Sequence, residues 1–295
     1  MNRGLRQRRF LMLLAAAAAV LMVNIALESL NQGMVPAATT APVKQIEPVV
    51  PPAPVLFQYI EIIDSCGPYY GGKCVNARSG PGEEYRTVAR LRTGMVLKVG
   101  GTVERGGRTW YRVVFDEGLL YPERVSTHWY VAGDYVRSFS DEGVINLEGG
   151  ASALTDSAHS TSSVQASSPQ VTKRILVDRS LQMLYAYEGD ALFMQVHISA
   201  GLALTPTPRG TFTVYKKTPT RYMQGPLPGV SDQFYDLPGV PWDLYFTYQG
   251  AAIHGAYWHD KFGKRWSHGC VNLPLEEAHK LYEWSDVGTP VIVRD

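Results

Sequence analysis

The sequence predicts a mainly β protein with two folded parts and an apolar segment at its N-terminus. Short runs of β-branched and aromatic residues, divided by glycine turns, fill residues 57–138 and recur in residues 171–295. Apolar residues at helical spacing occur in the second part from Leu275 to Tyr282, so one or two helices are expected beside its strands. Residues 31–56, rich in proline and alanine, and residues 139–170, rich in serine, cannot build a core and are predicted to be a stiff and a flexible linker.

The first 30 residues combine a basic start with an apolar run. Residues 1–9 contain four arginines and no acidic side chain, and the stretch from Phe10 to Leu27 is apolar except for Asn24. That stretch is just long enough to cross a bilayer, and flanking arginines stay on the cytoplasmic side. Residues 1–30 are therefore predicted to be a signal anchor or a cleaved signal peptide, with the rest of the chain outside the cytoplasm.

Within the folded parts, turn residues separate the predicted strands at regular intervals. In residues 57–138 the pattern is typical of a small barrel, with strands at Tyr59–Ile63, Val88–Leu91, Met95–Val99, Thr109–Phe115 and His128–Val136. In residues 171–295 it predicts mostly antiparallel strands at Arg174–Asp178, Leu181–Tyr187, Ala191–Ser199, Gly210–Lys217, Trp242–Tyr248, Ala251–Ile253 and Val291–Val293. A helix is expected from Pro274, with Asn272 as its cap.

The stretch from Thr218 to Gly239 departs from this pattern. It contains four prolines and three glycines, which is too much punctuation for an ordinary strand. Long ordered loops in compact domains are often lids or binding loops. The sequence predicts a flap whose Tyr222 and Tyr235 contact a substrate, and the alternative is a surface insertion that only packs on the sheet.

The net charge argues against nucleic-acid binding, and the cysteine content points to one reactive thiol. The formal net charge of +1 over 295 residues gives no electrostatic basis for binding nucleic acid. Cys66 and Cys74 flank a turn-rich loop, and an oxidising compartment allows a disulfide between them. Cys270 is then left over, and an odd thiol in an exported protein is a candidate for reactivity.

The candidate chemistry centres on Cys270. A thiol attacks a carbonyl as thiolate, and a nearby imidazole is the usual base; His254 and His268 both precede this cysteine. Gly269 allows a tight turn whose amide groups can converge on an oxyanion. Two other interpretations remain for these residues, a small buried hydrophobic thiol and a zinc site.

Two motifs resemble those of a known family. His254, followed after a gap by Ser267-His268-Gly269-Cys270-Val271-Asn272, resembles the signature of the L,D-transpeptidases, which have a YkuD-type catalytic domain. Thr205-Pro206-Thr207-Pro208-Arg209-Gly210-Thr211-Phe212 is similar to a second hallmark of that family. In the first folded part, the loop Asn76–Gly82 resembles that of a bacterial SH3-like domain. The resemblances imply an SH3-like β-barrel joined by a flexible linker to a β-rich L,D-transpeptidase catalytic domain.

The resemblance implies a peptidoglycan L,D-transpeptidase, a cell-wall acyltransferase that is membrane-anchored or secreted. The donor is a tetrapeptide stem that loses D-alanine, the acceptor is an amine, and no cofactor or metal is implied. The SH3-like domain is expected to bind the wall. Two alternatives stay open: an exported cysteine L,D-carboxypeptidase or amidase of the wall, and a catalytically inactive wall-binding protein.

The resemblance also implies roles for individual residues. Cys270 is the nucleophile, His254 is the general base and acid, and the backbone carbonyl of Gly255 orients His254. Four neighbours are expected to support the turn, the oxyanion or the substrate: Ser267, His268, Gly269 and Asn272.

Overall fold

The computed structural model describes residues 57–115, 118–125, 128–141, 145–146 and 172–295. All of them belong to one compact unit. The predicted anchor in residues 1–30, the linker in residues 31–56 and most of the linker in residues 139–170 lie outside the described ranges. Within those ranges, no helix has both the length and the apolar character needed to cross a bilayer.

The N-terminal region forms a seven-stranded antiparallel sheet in the order β3-β2-β6-β5-β4-β1-β7. Its strands are β1 (Phe57–Ile62), β2 (Val75–Arg78), β3 (Thr87–Leu91), β4 (Val96–Arg105), β5 (Arg108–Val113), β6 (Trp129–Ala132) and β7 (Val136–Asp141). Short 3-10 turns occupy Pro68–Tyr70, Pro122–Arg124 and Gly133–Tyr135. A disulfide joins Cys66 to Cys74 across the loop before β2.

The C-terminal region contains two five-stranded sheets and one α-helix among the described residues. The first sheet has the order β11-β10-β9-β17-β12 and the second β16-β15-β14-β13-β8. The elements are β8 (Ile145–Asn146), β9 (Lys173–Asp178), β10 (Met183–Glu188), β11 (Ala191–His197), β12 (Gly210–Thr213), β13 (Lys216–Leu227), β14 (Ser231–Tyr245), β15 (Ala252–Gly255), β16 (Val271–Leu273), α1 (Leu275–Trp284) and β17 (Pro290–Arg294).

The serine-rich segment begins later than its composition suggests. Residues 139–141 still belong to β7, where Phe139 stacks on Tyr59 and packs against Trp242. Residues 145–146 pair with β13 at the edge of the second C-terminal sheet. Strand pairing therefore continues past residue 138, the position at which the sequence analysis ends the first folded part.

The prediction of a loop for Thr218–Gly239 is also wrong. The segment forms most of a long hairpin in which β13 pairs antiparallel with β14. The ladder shifts register between Arg221 and Met223, and again between Gly225 and Leu227. Bulges of this kind are where strands tolerate proline and glycine, so the punctuation in the sequence marks irregular pairing rather than a loop.

The predicted helix forms, but its start differs from the expectation. Pro274 is the N-cap residue of α1 and no side chain caps it. Asn272 does not cap the helix because it lies in β16, and its side-chain amide is 2.8 Å from Nε2 of His259. The predicted core face of the helix is confirmed, since Ala278 and Leu281 are buried there.

The N-terminal and C-terminal regions share their apolar cores. Tyr59 and Val96 of the N-terminal sheet are buried in the C-terminal core, while Val240 and Tyr257 are buried in the N-terminal core. Gly239 permits this approach, because a Cβ there would lie 2.8 Å from the carbonyl oxygen of Val96. The N-terminal sheet therefore packs against the base of the β13–β14 hairpin.

Candidate active site

Two short parallel strands place the candidate cysteine and histidine. β15 pairs with β16 in a register that sets Ile253 opposite Val271 and His254 opposite Asn272. Cys270 directly precedes β16, and the amide of Ala252 donates a hydrogen bond toward its sulfur. The thiol and the imidazole therefore belong to neighbouring strands, two positions apart in register.

Two hydroxyl groups hold the backbone of Cys270. Ser267 Oγ and Thr207 Oγ1 both donate to the carbonyl oxygen of Cys270, at 2.5 and 3.2 Å. Ser267 Oγ also accepts from the amide of Gly269 at 3.2 Å. Ser267 is buried, so its contacts place it as a support of the cysteine turn.

The Thr-Pro segment braces the cysteine turn from its other side. Gly201 forms a bridge with Ser267, and its amide donates to Thr207 Oγ1 at 2.9 Å. A Cβ on Gly201 would lie 2.2 Å from the carbonyl oxygen of Thr205, so glycine alone fits there. The two sequence motifs are thus parts of one structure, in which the first fixes the position of the second.

Gly269 adopts a backbone conformation that other residues avoid. Its φ is +117°, in the region that favours glycine. After this turn, Cys270 lies next to Ala252, directly before β16, and its side chain is half-buried. The expected tight turn at this glycine is present in the structure.

His254 is held as a neutral imidazole with one lone pair available. The side chain is completely buried, and Nδ1 lies 3.0 Å from the carbonyl oxygen of Gly255. Since a carbonyl can only accept, Nδ1 carries the proton and Nε2 carries the lone pair. Nε2 has no hydrogen-bond partner among the described residues. Burial lowers the pKa of His254 to about 3, so the ring is neutral at neutral pH.

The thiol of Cys270 faces a backbone carbonyl. Its Sγ lies 3.9 Å from the carbonyl oxygen of Gly250, as expected for a protonated thiol donating weakly. Burial raises the pKa of the Cys270 thiol, while the Arg221 guanidinium and the Ala252 amide oppose that rise.

The hairpin lies over the cysteine turn through Tyr235 and His268. The Tyr235 ring stacks on the His268 imidazole with 5.5 Å between ring centroids. His268 Nε2 lies 2.8 Å from Oε1 of Gln233. Burial, together with the charge of Cys270, raises the pKa of Tyr235 to about 12. Tyr235 therefore lies against the cysteine turn, and its predicted contact with a substrate stays a prediction.

Tyr222 is turned toward the N-terminal sheet instead. Its ring packs against Phe115 and its hydroxyl donates to Asp236 at 3.1 Å. The side chain is only 7% exposed. Its contacts hold the hairpin against the N-terminal sheet, and the expected substrate contact finds no support in them.

Sequence reasoning missed two residues of the site. Arg221 was assigned no role, although its Nη1 lies 3.2 Å from the carbonyl oxygen of Gly250, the group that Sγ of Cys270 also faces. His259 has no predicted role either, yet it is buried and its Nδ1 accepts from the amide of Lys261 at 3.1 Å. Neither residue carries a sequence signal, because the fold alone brings them to the cysteine turn.

Comparison with known families agrees with this geometry. Residues 172–293 match the family model of the YkuD L,D-transpeptidase catalytic domain. The chain contains an L,D-transpeptidase catalytic domain. The YkuD-type domain predicted from the two motifs is confirmed. Among the described residues, no group of three or more His, Cys, Asp or Glu side chains is arranged to hold a metal ion.

Individual relatives match only part of their length. Probable L,D-transpeptidase 3 from Mycobacterium tuberculosis is 33% identical over 102 residues, which make up 33% of this chain and 37% of that protein. Putative L,D-transpeptidase YkuD from Bacillus licheniformis is 28% identical over 123 residues, 41% of this chain and 64% of that protein. The chain therefore spans less than two thirds of these curated relatives.

Solved structures of similar catalytic domains match less than half of this chain. The NMR structure of the catalytic domain of an Enterococcus faecium L,D-transpeptidase is 26% identical and has a TM-score of 0.37; the match covers 43% of this chain and 100% of that domain. A crystal structure of L,D-transpeptidase 3 from Mycobacterium tuberculosis is 24% identical with a TM-score of 0.39, covering 42% and 61% of the two chains.

Proposed function

We propose that this protein is a peptidoglycan L,D-transpeptidase, an acyltransferase with Cys270 as its nucleophile. The observation that carries the proposal is the tautomer of His254: its Nδ1 proton is directed at Gly255 and its Nε2 lone pair is left for the thiol. A neutral imidazole with a lone pair beside a half-buried thiol is the arrangement that a cysteine acyltransferase needs.

The first half of the reaction forms a thioester. Nε2 of His254 accepts the thiol proton, and Sγ of Cys270 attacks the carbonyl that precedes the terminal D-alanine of a tetrapeptide stem. The tetrahedral oxyanion collapses, the peptide C–N bond breaks, and His254 returns the proton to the departing amine. D-alanine leaves with that proton, and the acyl group remains on sulfur.

The second half transfers the acyl group. An amine from another stem attacks the thioester carbonyl, and His254 accepts a proton from that amine. The C–S bond then breaks, an amide cross-link forms, and the thiolate recovers its proton. In this proposal, amide groups of the turn around Gly269 and Cys270 donate to the oxyanion in both halves.

In this proposal, the remaining regions bring the catalytic domain to the cell wall. The N-terminal sheet is an SH3-like wall-binding domain, supported by its short antiparallel strands and its Asn76–Gly82 loop. Export follows from the basic and apolar start of the chain, which anchors the protein in the membrane or directs its secretion. The disulfide between Cys66 and Cys74 is consistent with an oxidising compartment.

Mass spectrometry of purified tetrapeptide stems incubated with the enzyme tests the proposal. Wild-type protein is expected to release D-alanine and to yield a dimer mass, whereas a trimmed stem without dimer identifies a carboxypeptidase. Cys270→Ala is expected to lose at least about a thousandfold in turnover, since no other group can form the thioester. Undiminished D-alanine release by that variant disproves the nucleophile assignment.

A further inference from the structure

Arg221 and Cys270 meet at one backbone carbonyl. Gly250 O accepts from Nη1 of Arg221 at 3.2 Å and faces Sγ of Cys270 at 3.9 Å. Burial raises the pKa of the Cys270 thiol, and the positive charge of Arg221 lowers it. A permanent cation therefore lies near the sulfur that must become an anion during the reaction.

The guanidinium is fixed in that place by its own surroundings. Its Cζ lies 5.1 Å from the centroid of the Tyr245 ring, an attractive cation–π geometry. The negative charge of Asp243 and the polar ring of Tyr235 face it from β14 and keep it protonated. Arg221 is half-buried, so its charge is screened less by solvent than that of a surface arginine.

His254 is poorly suited to supply a lasting positive charge beside a thiolate at Cys270. Its ring is completely buried, and the carbonyl of Gly255 is the one hydrogen bond that it makes among the described residues. Burial and the nearby charge of Arg221 lower the pKa of His254 to about 3. A half-buried thiolate nevertheless needs an opposite charge nearby, because desolvation penalises the anion.

We propose that Arg221 is a catalytic residue whose guanidinium pairs with the Cys270 thiolate, while His254 only moves the proton. This inference rests on the proposed function, in which Cys270 is the nucleophile. When Nε2 of His254 removes the proton, the sulfur turns from the Gly250 carbonyl to Arg221. The guanidinium exchanges no proton, so His254 alone carries the proton from the thiol to the departing amine.

Thiol alkylation measured against pH tests the pairing without any wall substrate. Rates with iodoacetamide are measured for wild type, Arg221→Lys and Arg221→Gln. An opposite charge in contact commonly shifts a pKa by about 1–3 units. Arg221→Gln is therefore expected to move the midpoint of the alkylation profile upward by at least about one unit and to slow alkylation near neutral pH about tenfold. Arg221→Lys is expected to fall between the two.

Lys216→Gln is the matched control. Lys216 lies on the same strand and packs over the same Tyr245 ring, with Nζ 4.8 Å from its centroid, but it is not hydrogen-bonded to Cys270. Its removal is expected to leave the alkylation midpoint unchanged. Thermal unfolding is measured for each variant, and Arg221→Met, which keeps the apolar stem over Tyr245, replaces Arg221→Gln if the latter does not fold.

The Arg221 variants test the pairing with Cys270, and the Cys270 variant tests the proposed transpeptidase activity. A wild-type alkylation profile in Arg221→Gln overturns the pairing even if Cys270→Ala abolishes turnover. An equal shift of the alkylation midpoint in Lys216→Gln also overturns the pairing, because the loss of any nearby positive charge then has the same effect. Full turnover by Cys270→Ala overturns the proposed function, whatever the alkylation of Arg221 variants shows.

Discussion

The two sides of the active site are built in different ways. The cysteine turn, residues 267–272, is held by a hydrogen bond from Thr207 and by a β-bridge between Gly201 and Ser267, and it is paired with β15. The β13–β14 hairpin reaches the site as a long ribbon whose far end is open to solvent, with Val230 54% exposed and Phe234 65% exposed. One side fixes reacting atoms, and the other presents charged and aromatic groups to them.

The hairpin also depends on a partner that the cysteine turn does not need. Gln224 exchanges hydrogen bonds with the backbone of Tyr121 at 2.8 and 3.0 Å, and Arg124 donates to the carbonyl oxygen of Gly225 at 2.6 Å. Thr220 donates to the carbonyl of Val96. The contrast teaches that the C-terminal region holds Cys270 by itself, whereas the N-terminal region helps to set the position of the hairpin.

The largest expected effect separates His254, on the strand paired with the cysteine turn, from His268, whose side chain contacts the hairpin. His254→Gln removes the buried base and is expected to lower the acylation rate about 10²–10⁴-fold. His268→Gln removes only a stacking and hydrogen-bonding contact to the hairpin, and a loss of less than about tenfold is expected. Single-turnover kinetics measure both, and the assignment of His254 as the base fails if the two losses are reversed.

A second prediction concerns the rigidity of the cysteine turn. Gly269→Ala places a side chain at a φ of +117°, which is expected to cost about 1–3 kcal/mol of unfolding free energy and most of the activity. Gly288 supplies the matched control, because its φ is +98° and a Cβ there would meet no atom within 4 Å. Gly288→Ala should destabilise the fold in denaturant titrations by a similar amount and keep its activity. Equal activity losses contradict a special role for the turn at Gly269.

A third prediction concerns pH and the two buried histidines beside the turn. Burial lowers the pKa of His254 to about 3 and that of His259 to about 4. As the pH falls below the ordinary histidine pKa near 6.5, the unfolded chain binds protons that the folded chain cannot, so stability falls. Between pH 7 and pH 5 the unfolding free energy should drop by about 1–2 kcal/mol for each ring.

Denaturant titrations across that pH range check the third prediction. His259→Gln should flatten the dependence, while the same change at the exposed His197 should leave it as in wild type. If the unfolding free energy still falls with pH in both His254→Gln and His259→Gln, other groups cause the pH dependence. The two buried histidines beside the cysteine turn are then not its source.

The smallest expected effect lies at the contact between hairpin and N-terminal sheet. Arg124→Ala removes a hydrogen bond to Gly225 and the packing of the guanidinium near Phe234, at an expected cost of about 0.5–1.5 kcal/mol. Because the cysteine turn is held independently, thiol alkylation should be unchanged while KM for the stem rises by a few fold. Changed alkylation would show that the two sides of the site are coupled.

The local features of the catalytic domain were predictable from sequence. Residues that act through short-range backbone rules, such as Gly269 in its turn and the apolar face around Ala278 of the helix, follow from conformational freedom and helical spacing. The strand pair around Arg179 and the two motifs around Thr207 and Cys270 were likewise readable, because each is contiguous in the chain.

Tertiary structure alone decided which residues distant in sequence lie beside the cysteine turn. Arg221 has no distinguishing neighbour in the sequence, and its place beside Cys270 follows from a strand register that no local pattern encodes. The prolines near it suggested a loop because proline removes one ladder hydrogen bond, yet the hairpin absorbs that loss at its bulges and in its contacts with the N-terminal sheet. Local rules set the chemistry that the chain carries, and long-range pairing and shared burial set which charges surround it.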